Sequence, residues 1–498
     1  MRPGIIRQPG YQGSETTWVE ITLYQHGDDP VILTPGGGGK QELIGKRPSD
    51  PHHSIISCSV SKGLGSAAGQ WQFTLKPSYS APDILNWMVD DDWVDIVFYR
   101  HDQPWHVMRG LIDRITRNRV TSKTGATTVT YTIQGQEWSK IFEKTPVWFS
   151  PYADADLVTD AVAHRVMDSL PQVVKSPPEA VEAYLRGFLE ELSTSAGVNW
   201  NPPKGMPGIL DDSFLKSVAF HSKYFQHKPP REAFNPNHLQ PQGTLWSLAQ
   251  QFSDPLFTEF YADILPGGDP FSQRLVTGDP MAPGEGIMSI IVRDKPFPVV
   301  DSGVDFTSWW DQVPVSIVAR QEIVSDTVGK SGEERFNAYF VAPLLHQESL
   351  GQHAITILAP MVDLKDIQRH GMRRMDIQSQ QKPSVKDLDY GTMSDHQRRI
   401  LRDWYALNPY FISGTINLGI GRPDLKIGTR IRIPGFAVNQ SDDETYYVEQ
   451  VMHDYVFGRG TKTKLGVTRG WIGSDASYLE SLEKMSSRYV VPKRRKDA

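Results

Sequence analysis

One cysteine, Cys58, stands in a chain of 498 residues. That count excludes an intrachain disulfide framework and a zinc cage of thiolates, and nothing in it demands an oxidising compartment. An intracellular assembly site fits. Long apolar runs are missing too: no window approaches the ~18 apolar residues of a membrane span, and the opening "MRPGIIRQPGYQGSETT" has no apolar stretch of signal-peptide length, so no membrane insertion is expected. Charge is nearly balanced, with 52 Lys and Arg against 58 Asp and Glu for a net −6. This argues against a dedicated nucleic-acid or acidic-membrane binder. The only basic run, "PKRRK" at 492–496, reads as a solvated terminus.

Catalytic signatures are also lacking. G-x-S-x-G, H-E-x-x-H and an EF-hand loop do not occur. "LTPGGGGKQ" at 33–41 looks like a phosphate loop but fails on spacing. Thr34 occupies the first-glycine position, Gln41 follows Lys40 where Ser or Thr would hold Mg²⁺, and Gly45 and Pro48 break the segment that would have to be a helix. Gly36 to Gly39 read as a loop after a strand. Asp90 to Asp92, the densest acidic cluster, reads as a solvated turn before a strand. His52 and His53, and the pair His101 and His106, lack metal-ligand geometry. The expectation is therefore no catalytic, cofactor-binding or metal-binding residue and no cofactor.

What the chain does have is Trp, Pro and Gly in plenty (13, 36 and 41), distributed as in β-rich domains with shaped loops. Apolar residues alternate in Val19 with the following "EITLYQH" (Val19, Ile21 and Leu23), in "WQFTLKP" (Trp71, Phe73 and Leu75) and in "TVTYTIQG" (Val129, Tyr131 and Ile133), which predicts half-buried strands. "WVDIVFYR" and "HVMRGLIDRI" are denser, as in strands covered on both faces. "NRVTSKTGAT" reads as a hairpin tip and "APDILNWMVD" as a helix. Helical spacing then takes over. Val181, Tyr184, Leu185, Phe188, Leu189 and Leu192 make one face behind Ser176 and Pro177, and Leu245, Leu248, Ala249 and Phe252 make another behind Thr244 as N-cap. A third helix is predicted over 394–406, with Ser394 and Gln397 as a capping box and Ile400, Leu401, Trp404 and Tyr405 as its buried stripe. A last amphipathic helix carries Tyr478, Leu482 and Met485.

The block "GRPDLKIGTRIRIPG", a gap, then "ETYYVEQVMHDYVFGRGTKTKLGVTRG" resembles the C-terminal barrel of phage tail hub proteins, the baseplate hub of contractile tails and the related late control protein D. Upstream pieces resemble the same family in the right order: "SKGLGSAAGQWQFTLKP", "YTIQGQEWSKIF", "LWSLAQQFSDPLFTEFYAD", "IIVRDKPF" and "EIVSDTVGKSGEERFNAYFV". The resemblance covers most of 17–470 and implies a β-rich α+β fold with two tube-like antiparallel β-barrel domains and helical or irregular insertions. The expected division is an N-terminal arm (1–16), a first barrel (17–149), a helical and α+β insertion (150–300), a second barrel (301–343 with 410–470), a connecting extension (344–409) with helix 394–406, and a C-terminal helix with basic tail (471–498).

By resemblance the chain is a structural baseplate hub of the virion tail, assembled in the host cytoplasm. Its expected partners are two further copies in a homotrimer, the tail tube or a tube-initiator protein, the central spike, and tape-measure and wedge proteins. Three copies with two barrels each would present six similar surfaces to a hexameric tube and three to a trimeric spike, while DNA passes without specific binding. The readings kept open are a tail-associated peptidoglycan hydrolase using a carboxylate pair, a distal hub of a non-contractile tail, and a type VI secretion spike. The short stretch after Gly470, read as one helix and a tail, disfavours the last. Residue by residue, Tyr447, Glu449, Val451, His453 and Tyr455 are expected on one strand face, with Tyr446, Val448, Gln450 and Met452 on the other. His453 reads as a packed or interfacial histidine, Arg335 and Asn337 as residues fixing loops or contacts, and Glu449 as a solvated strand residue.

Overall fold

The computed structural model describes residues 17–25, 30–35, 49–78, 81–101, 103–148, 177–195, 206, 214–221, 242–253, 255–266, 286–300, 313–343, 360–379, 390–435 and 443–491. The expected N-terminal arm, the glycine loop 36–39, the basic tail and all of 149–176 and 344–359 lie outside them.

Seven strands form the first block: β1 (Trp18–Tyr24), β2 (Val31–Thr34), β3 (Ser49–Gly63), β4 (Gln70–Pro77), β5 (Trp93–Arg100), β6 (Gln103–Thr121) and β7 (Thr127–Glu137). They run in the order β3-β2-β1-β5-β6-β7-β4, and β4 pairs back to β3, closing a barrel. The alternation read in β4 is real: Trp71, Phe73 and Leu75 are buried while Gln70 and Gln72 face solvent. β1 departs from expectation, since all seven of its residues are buried. Its polar face is covered because Glu20 accepts a hydrogen bond from Tyr99 Oη at 3.3 Å and the Tyr99 ring stacks on Trp18 at 3.9 Å. The helix expected in "APDILNWMVD" shrinks to one 3-10 turn, Ile84–Asn86. Asp83 caps it, but Leu85 and Val89 are exposed, so Ile84 and Met88, with the half-buried Trp87, are what hold the segment to the core. That is too little burial to extend a helix.

A helical and mixed region follows. It contains α1 (Lys140–Lys144), β8 (Pro146–Trp148), α2 (Pro177–Ser195), α3 (Phe214–Ser217), β9 (Val218–His221), β10 (Gln242–Thr244), α4 (Leu245–Ser253), β11 (Thr258–Pro266) and β12 (Gly286–Asp294). The predicted stripe of α2 is the buried one, with Val181, Tyr184, Leu185, Phe188 and Leu189 at 2% exposure or less; the side chain of Leu192 lies outside the described residues. It packs with Leu245, Leu248 and Ala249 of α4. Thr244 Oγ1 accepts from Ser247 N at 3.2 Å, the N-cap its position predicts. A three-stranded sheet, β11-β12-β9, carries this region onto the rest of the chain.

The remaining elements are β13 (Val315–Ile317), β14 (Ile323–Gly329), β15 (Ala338–Pro343), β16 (Met361–Val362), α5 (Leu364–His370), β17 (Arg374–Ser379), α6 (Tyr390–Tyr405), β18 (Ile412–Leu418), β19 (Arg430–Ile433), β20 (Glu444–Val456), β21 (Gly460–Ile472) and α7 (Asp475–Ser486). Six strands pair in the order β14-β18-β21-β20-β19-β13. Two expectations are corrected here. Residues 338–343 do not join this sheet, because β15 pairs with β16 and with β17 in a sheet of its own. Helix α6 begins at Tyr390, so Ser394 lies inside it and Gln397, 2% exposed, is packed rather than reaching back to a cap. Its stripe behaves as read: Ile400, Leu401 and Trp404 are buried in the core of the second block.

Candidate functional site, a strand joint between two β blocks

Side by side, the two blocks reuse one four-strand unit. In the first, β3, β4, β7 and β6 are consecutive antiparallel neighbours; in the second, β14, β18, β21 and β20 are. Two of the irregularities coincide as well, while two more, between Ile412 and Gly414 and between Thr445 and Tyr447, belong to the second unit alone. A bulge between Ile55 and Ser57 against β4 matches one between Ile323 and Ser325 against β18, and a bulge between Ile112 and Arg114 matches one between Val448 and Gln450. Aligned on these bulges, Phe73 falls with Ile416, Leu75 with Leu418 and Ile133 with Leu465 through the recorded strand pairings. Bulges are specific backbone features, so two in matching places mark a structural repeat. Outside the unit the blocks differ: β1 meets β5 antiparallel, whereas β13 meets β19 parallel.

The two units join directly. β3 gives its first residues to β2 and its last to β20, Ser57 to Gly63 lying opposite Val456 to Gln450. Backbone bonds bracket this ladder, from Phe457 N to Ile56 O at 2.8 Å and from Leu64 N to Glu449 O at 2.9 Å. The result is an eight-strand antiparallel ribbon, β14-β18-β21-β20-β3-β4-β7-β6. One face carries the buried cores. The other carries rungs of mostly neutral polar residues: Ser57, Thr74, Thr132 and Thr116 lie across four strands, and Ser59, Gln72 and Gln134 form a second rung that ends on Arg114 of β6. Gln134 donates to Gln72 at 2.7 Å, and in the second unit Asn417 donates to Ser325 at 3.0 Å. Lys462, Lys464 and Asp454 are the charged members of this face in the second unit.

Behind the joint lies a buried ionic cluster. Lys62 Nζ stands 2.6 Å from Glu137 Oε1 and 2.6 Å from Asp263 Oδ1, tying β3, β7 and β11 together. Lys426, from the loop before β19, approaches Asp263 at 3.9 Å and donates to His106 O at 3.2 Å. Burial opposes the charge on Lys62, yet Asp263 and Glu137 outweigh it and raise its pKa. Burial also opposes ionisation of Asp263, and Lys62 and Lys426 hold it below the usual carboxylate range. For Glu137 burial prevails and the pKa is raised. A second knot links β12 to the second block: Arg293 donates to Glu259 at 2.9 Å, to Gly428 O at 2.7 Å and to Tyr447 Oη at 3.1 Å, and Tyr447 donates to Glu259 at 2.6 Å. In a third, Arg109 donates to Gly286 O at 3.1 Å and to Asp95 at 3.3 Å, with His106 Nδ1 2.9 Å from Asp95. Apart from His106 and Tyr447, these residues do not stand out in the sequence as a site. Their signal was a lone charge within an apolar run, as in "VMRGLI", "YADIL" and "IIVRD".

The residues singled out beforehand fall as follows. His453 is buried, with Nδ1 3.0 Å from Thr463 Oγ1 and its ring 5.8 Å from Phe98. Arg335 and Asn337 both reach Asp366, at 2.7 and 2.9 Å, and Asn337 also donates to Gly371 O at 2.8 Å, so they fix the turns around α5. Glu449, exposed in a bulge, accepts from Thr468 at 2.9 Å. The bulges at 445–447 and 448–450 break the simple alternation expected of this strand: Tyr446, Tyr447 and Val448 are all buried. Asp90 to Asp92 are only partly a solvated turn. Asp91 sits at φ 60° and pairs with Lys140 at 2.9 Å, while Asp92 is buried and accepts from Gln25 at 2.7 Å and Val89 N at 3.0 Å. His53 is buried, with Nε2 3.3 Å from Pro82 O, and His101 is exposed; the side chain of His52 lies outside the described residues. Among the described residues no group of three or more His, Cys, Asp or Glu stands together as metal ligands would, and no helix is long and apolar enough to cross a membrane.

Burial, reinforced by Lys426, drives His453 from its ordinary 6.5 to about 3, and burial takes His221 to about 4. Each therefore stays neutral in the fold over a range where the unfolded chain takes up a proton. Stability should fall as pH drops from 6.5 towards 4, by about 1.4 kcal/mol per pH unit for each histidine. Thermal midpoints of the full chain measured across this range should show the slope, and His453→Gln should flatten it.

These features define the chain as a β-rich α+β protein with barrel domains, built on a repeated strand unit and fastened by buried ion pairs. No family model matches it, and no curated protein does. Among solved structures it is similar to a tail protein from Neisseria meningitidis MC58 (TM-score 0.45, 11% identity, covering 91% of this chain and 96% of the other). It is also similar to the 43 kDa tail protein of prophage MuSo2 from Shewanella oneidensis (TM-score 0.44, 10% identity, 92% and 97% covered). A third likeness is to a chain of the Francisella PdpA–VgrG complex (TM-score 0.42, 10% identity, 92% and 59% covered).

Proposed function

We propose that this chain is a structural, non-enzymatic hub of a contractile phage tail. Three copies form a ring that joins a hexameric tail tube, or its initiator protein, to a trimeric central spike, with tape-measure and baseplate wedge proteins as further neighbours. The observation that carries this reading is the repeated unit within one ribbon. A chain that presents the same four strands twice offers six similar surfaces from three copies, and head-to-tail contacts that repeat close most simply into rings. A face on which Ser, Thr, Gln and Asn outnumber Arg114, Lys462 and Lys464 suits a channel wall, since a lining rich in Lys and Arg would hold DNA by its phosphates. DNA then passes without specific binding.

An in-particle reconstruction tests the proposal. Three copies at the level between tube and spike are expected; six copies, or a location on the outer sheath alone, would overturn it. For the non-enzymatic part, the purified chain should leave peptidoglycan intact in a zymogram. Lysis abolished by a single carboxylate substitution would refute that part.

A further inference from the structure

A cleft of about 690 Å³ opens where the loop after β3, the end of α4 and the second block meet. Its volume falls within the roughly 300–1,000 Å³ of small-ligand and peptide sites. Arg469 of β21 lines it, with the guanidinium 3.7 Å over the Phe297 ring, 5.3 Å from that of Phe411 and 5.7 Å from that of Tyr405. Nη1 donates to Trp404 O at 2.7 Å. That bond uses one of the guanidinium's donors and leaves the rest of its fork open. Among the described residues no carboxylate pairs with it.

The repeat shows that this arginine is placed by a local departure. Arg469 sits at φ 51°, where a long side chain seldom settles. The two bulges that belong to the second unit alone put it there: β18 passes from Ile412 to Gly414 while β21 passes from Gly470 to Val467, and β20 passes from Thr445 to Tyr447 while β21 passes from Trp471 to Thr468. In the first unit, the equivalent β4–β7 pairing is regular throughout. The sheet does not need these bulges. Bulges re-aim side chains beside binding sites, and backbone strain persists at ligand clamps.

A guanidinium stacked on rings is held flat, and its edge is a ready fork for a carboxylate or a phosphate. Lys295, whose carbonyl accepts from Phe297 N at 2.8 Å, lines the same cleft. The rest of the lining chooses between the two anions. Glu333, Glu334 and Glu449 also face the cleft, and among the described residues none of the three has a cationic partner. A nucleic acid would bring a row of phosphates against these carboxylates, whereas a peptide brings one carboxylate on a chain that is otherwise neutral or basic. Gln250 and Gln450 supply side-chain amides for its backbone. We propose that this cleft binds an extended peptide segment of a partner protein, with one Asp or Glu side chain of that segment seated in the fork of Arg469.

The test presents the full chain with a bead-bound library of random octapeptides, acetylated at the free end so that side chains supply the only carboxylates. Retained beads should carry Asp or Glu at one fixed position. A retained sequence is then made as a labelled, acetylated and amidated peptide and titrated by fluorescence anisotropy. Exchanging its acidic residue for the matching amide should weaken binding by about tenfold, and Arg469→Lys, which keeps the charge but loses the fork, should do the same. The two changes together should cost no more than either alone, a coupling that a purely structural arginine would not produce. Unchanged circular dichroism checks the folding of Arg469→Lys, and the peptide exchange needs no protein variant at all. A library that yields no acidic preference, or peptides that bind the Arg469→Lys chain undiminished, would overturn the site. Displacement of the peptide by a short DNA duplex carrying no such carboxylate would assign the fork to phosphate and overturn the peptide reading.

Discussion

Lys62→Met is expected to destabilise the folded chain by about 3–5 kcal/mol, because it leaves two buried carboxylates facing each other with their shared cation gone. Glu137 and Asp263 are 2% and 1% exposed, so solvent cannot replace the ammonium. Asp263 keeps the hydrogen bond from Ile264 N at 2.7 Å and, as cation, the distant Lys426 at 3.9 Å. The three partners come from β3, β7 and β11, so the loss should loosen the mixed region from the first barrel rather than unzip either sheet. Protease nicking between the two should then precede global melting. Removing the cluster as a whole behaves differently, since burying ions costs desolvation that apolar side chains avoid. The triple variant Lys62→Met, Glu137→Gln, Asp263→Asn should recover most of the loss, and equal damage from single and triple variants would show that packing, not charge, dominates there. Thermal midpoints of the purified chains decide between these outcomes.

The contrast between what the sequence shows and what it hides follows from the range of each interaction. Strands such as Trp71, Phe73 and Leu75 of β4, and the stripe of α2, announce themselves because burial on one side leaves a local period. The turn at Ile84–Asn86 was overread as a helix because apolar spacing persists where tertiary burial is too small to sustain one. Pairing partners are not local. Nothing near Ala338–Pro343 says that it leaves the second block for β16 and β17, and nothing near Lys62 names an aspartate 201 residues away. The repeat is hidden for a related reason: sheet registers are conserved between the units by bulges and by side-chain size, with Phe73 standing where Ile416 does and Ile133 where Leu465 does, while identity survives only at scattered positions such as Leu75 and Leu418. The resemblance to tail hubs supplied the expectation of two related blocks; the bulges and registers supply the alignment between them.

Gly428→Ala should be strongly destabilising for a single methyl group. Gly428 sits at φ 70°, in the left-handed region where a Cβ is disfavoured, and its added Cβ would clash with Tyr261 Oη and lie 2.8 Å from Arg293 Nη2. Its carbonyl accepts from Arg293 at 2.7 Å and its N–H donates to Val448 O at 2.9 Å, so the backbone cannot swing away without giving up both bonds. Arg293 in turn is fully buried and depends on Glu259, Gly428 and Tyr447 for its hydrogen bonds. Displacing it disturbs the contact between β12 and the second block. Gly125→Ala is the matched control: φ is 80°, nothing lies within 4 Å of the added Cβ, and the site is an exposed hairpin tip. That variant should cost only the backbone term, about 1 kcal/mol. Gly428→Ala should cost about 3 kcal/mol or more, the excess coming from the strained buried network. If the two variants melt together, the Arg293 knot contributes little to stability; if Gly428→Ala alone melts early, and Arg293→Met added to it brings little further loss, the glycine acts through that arginine.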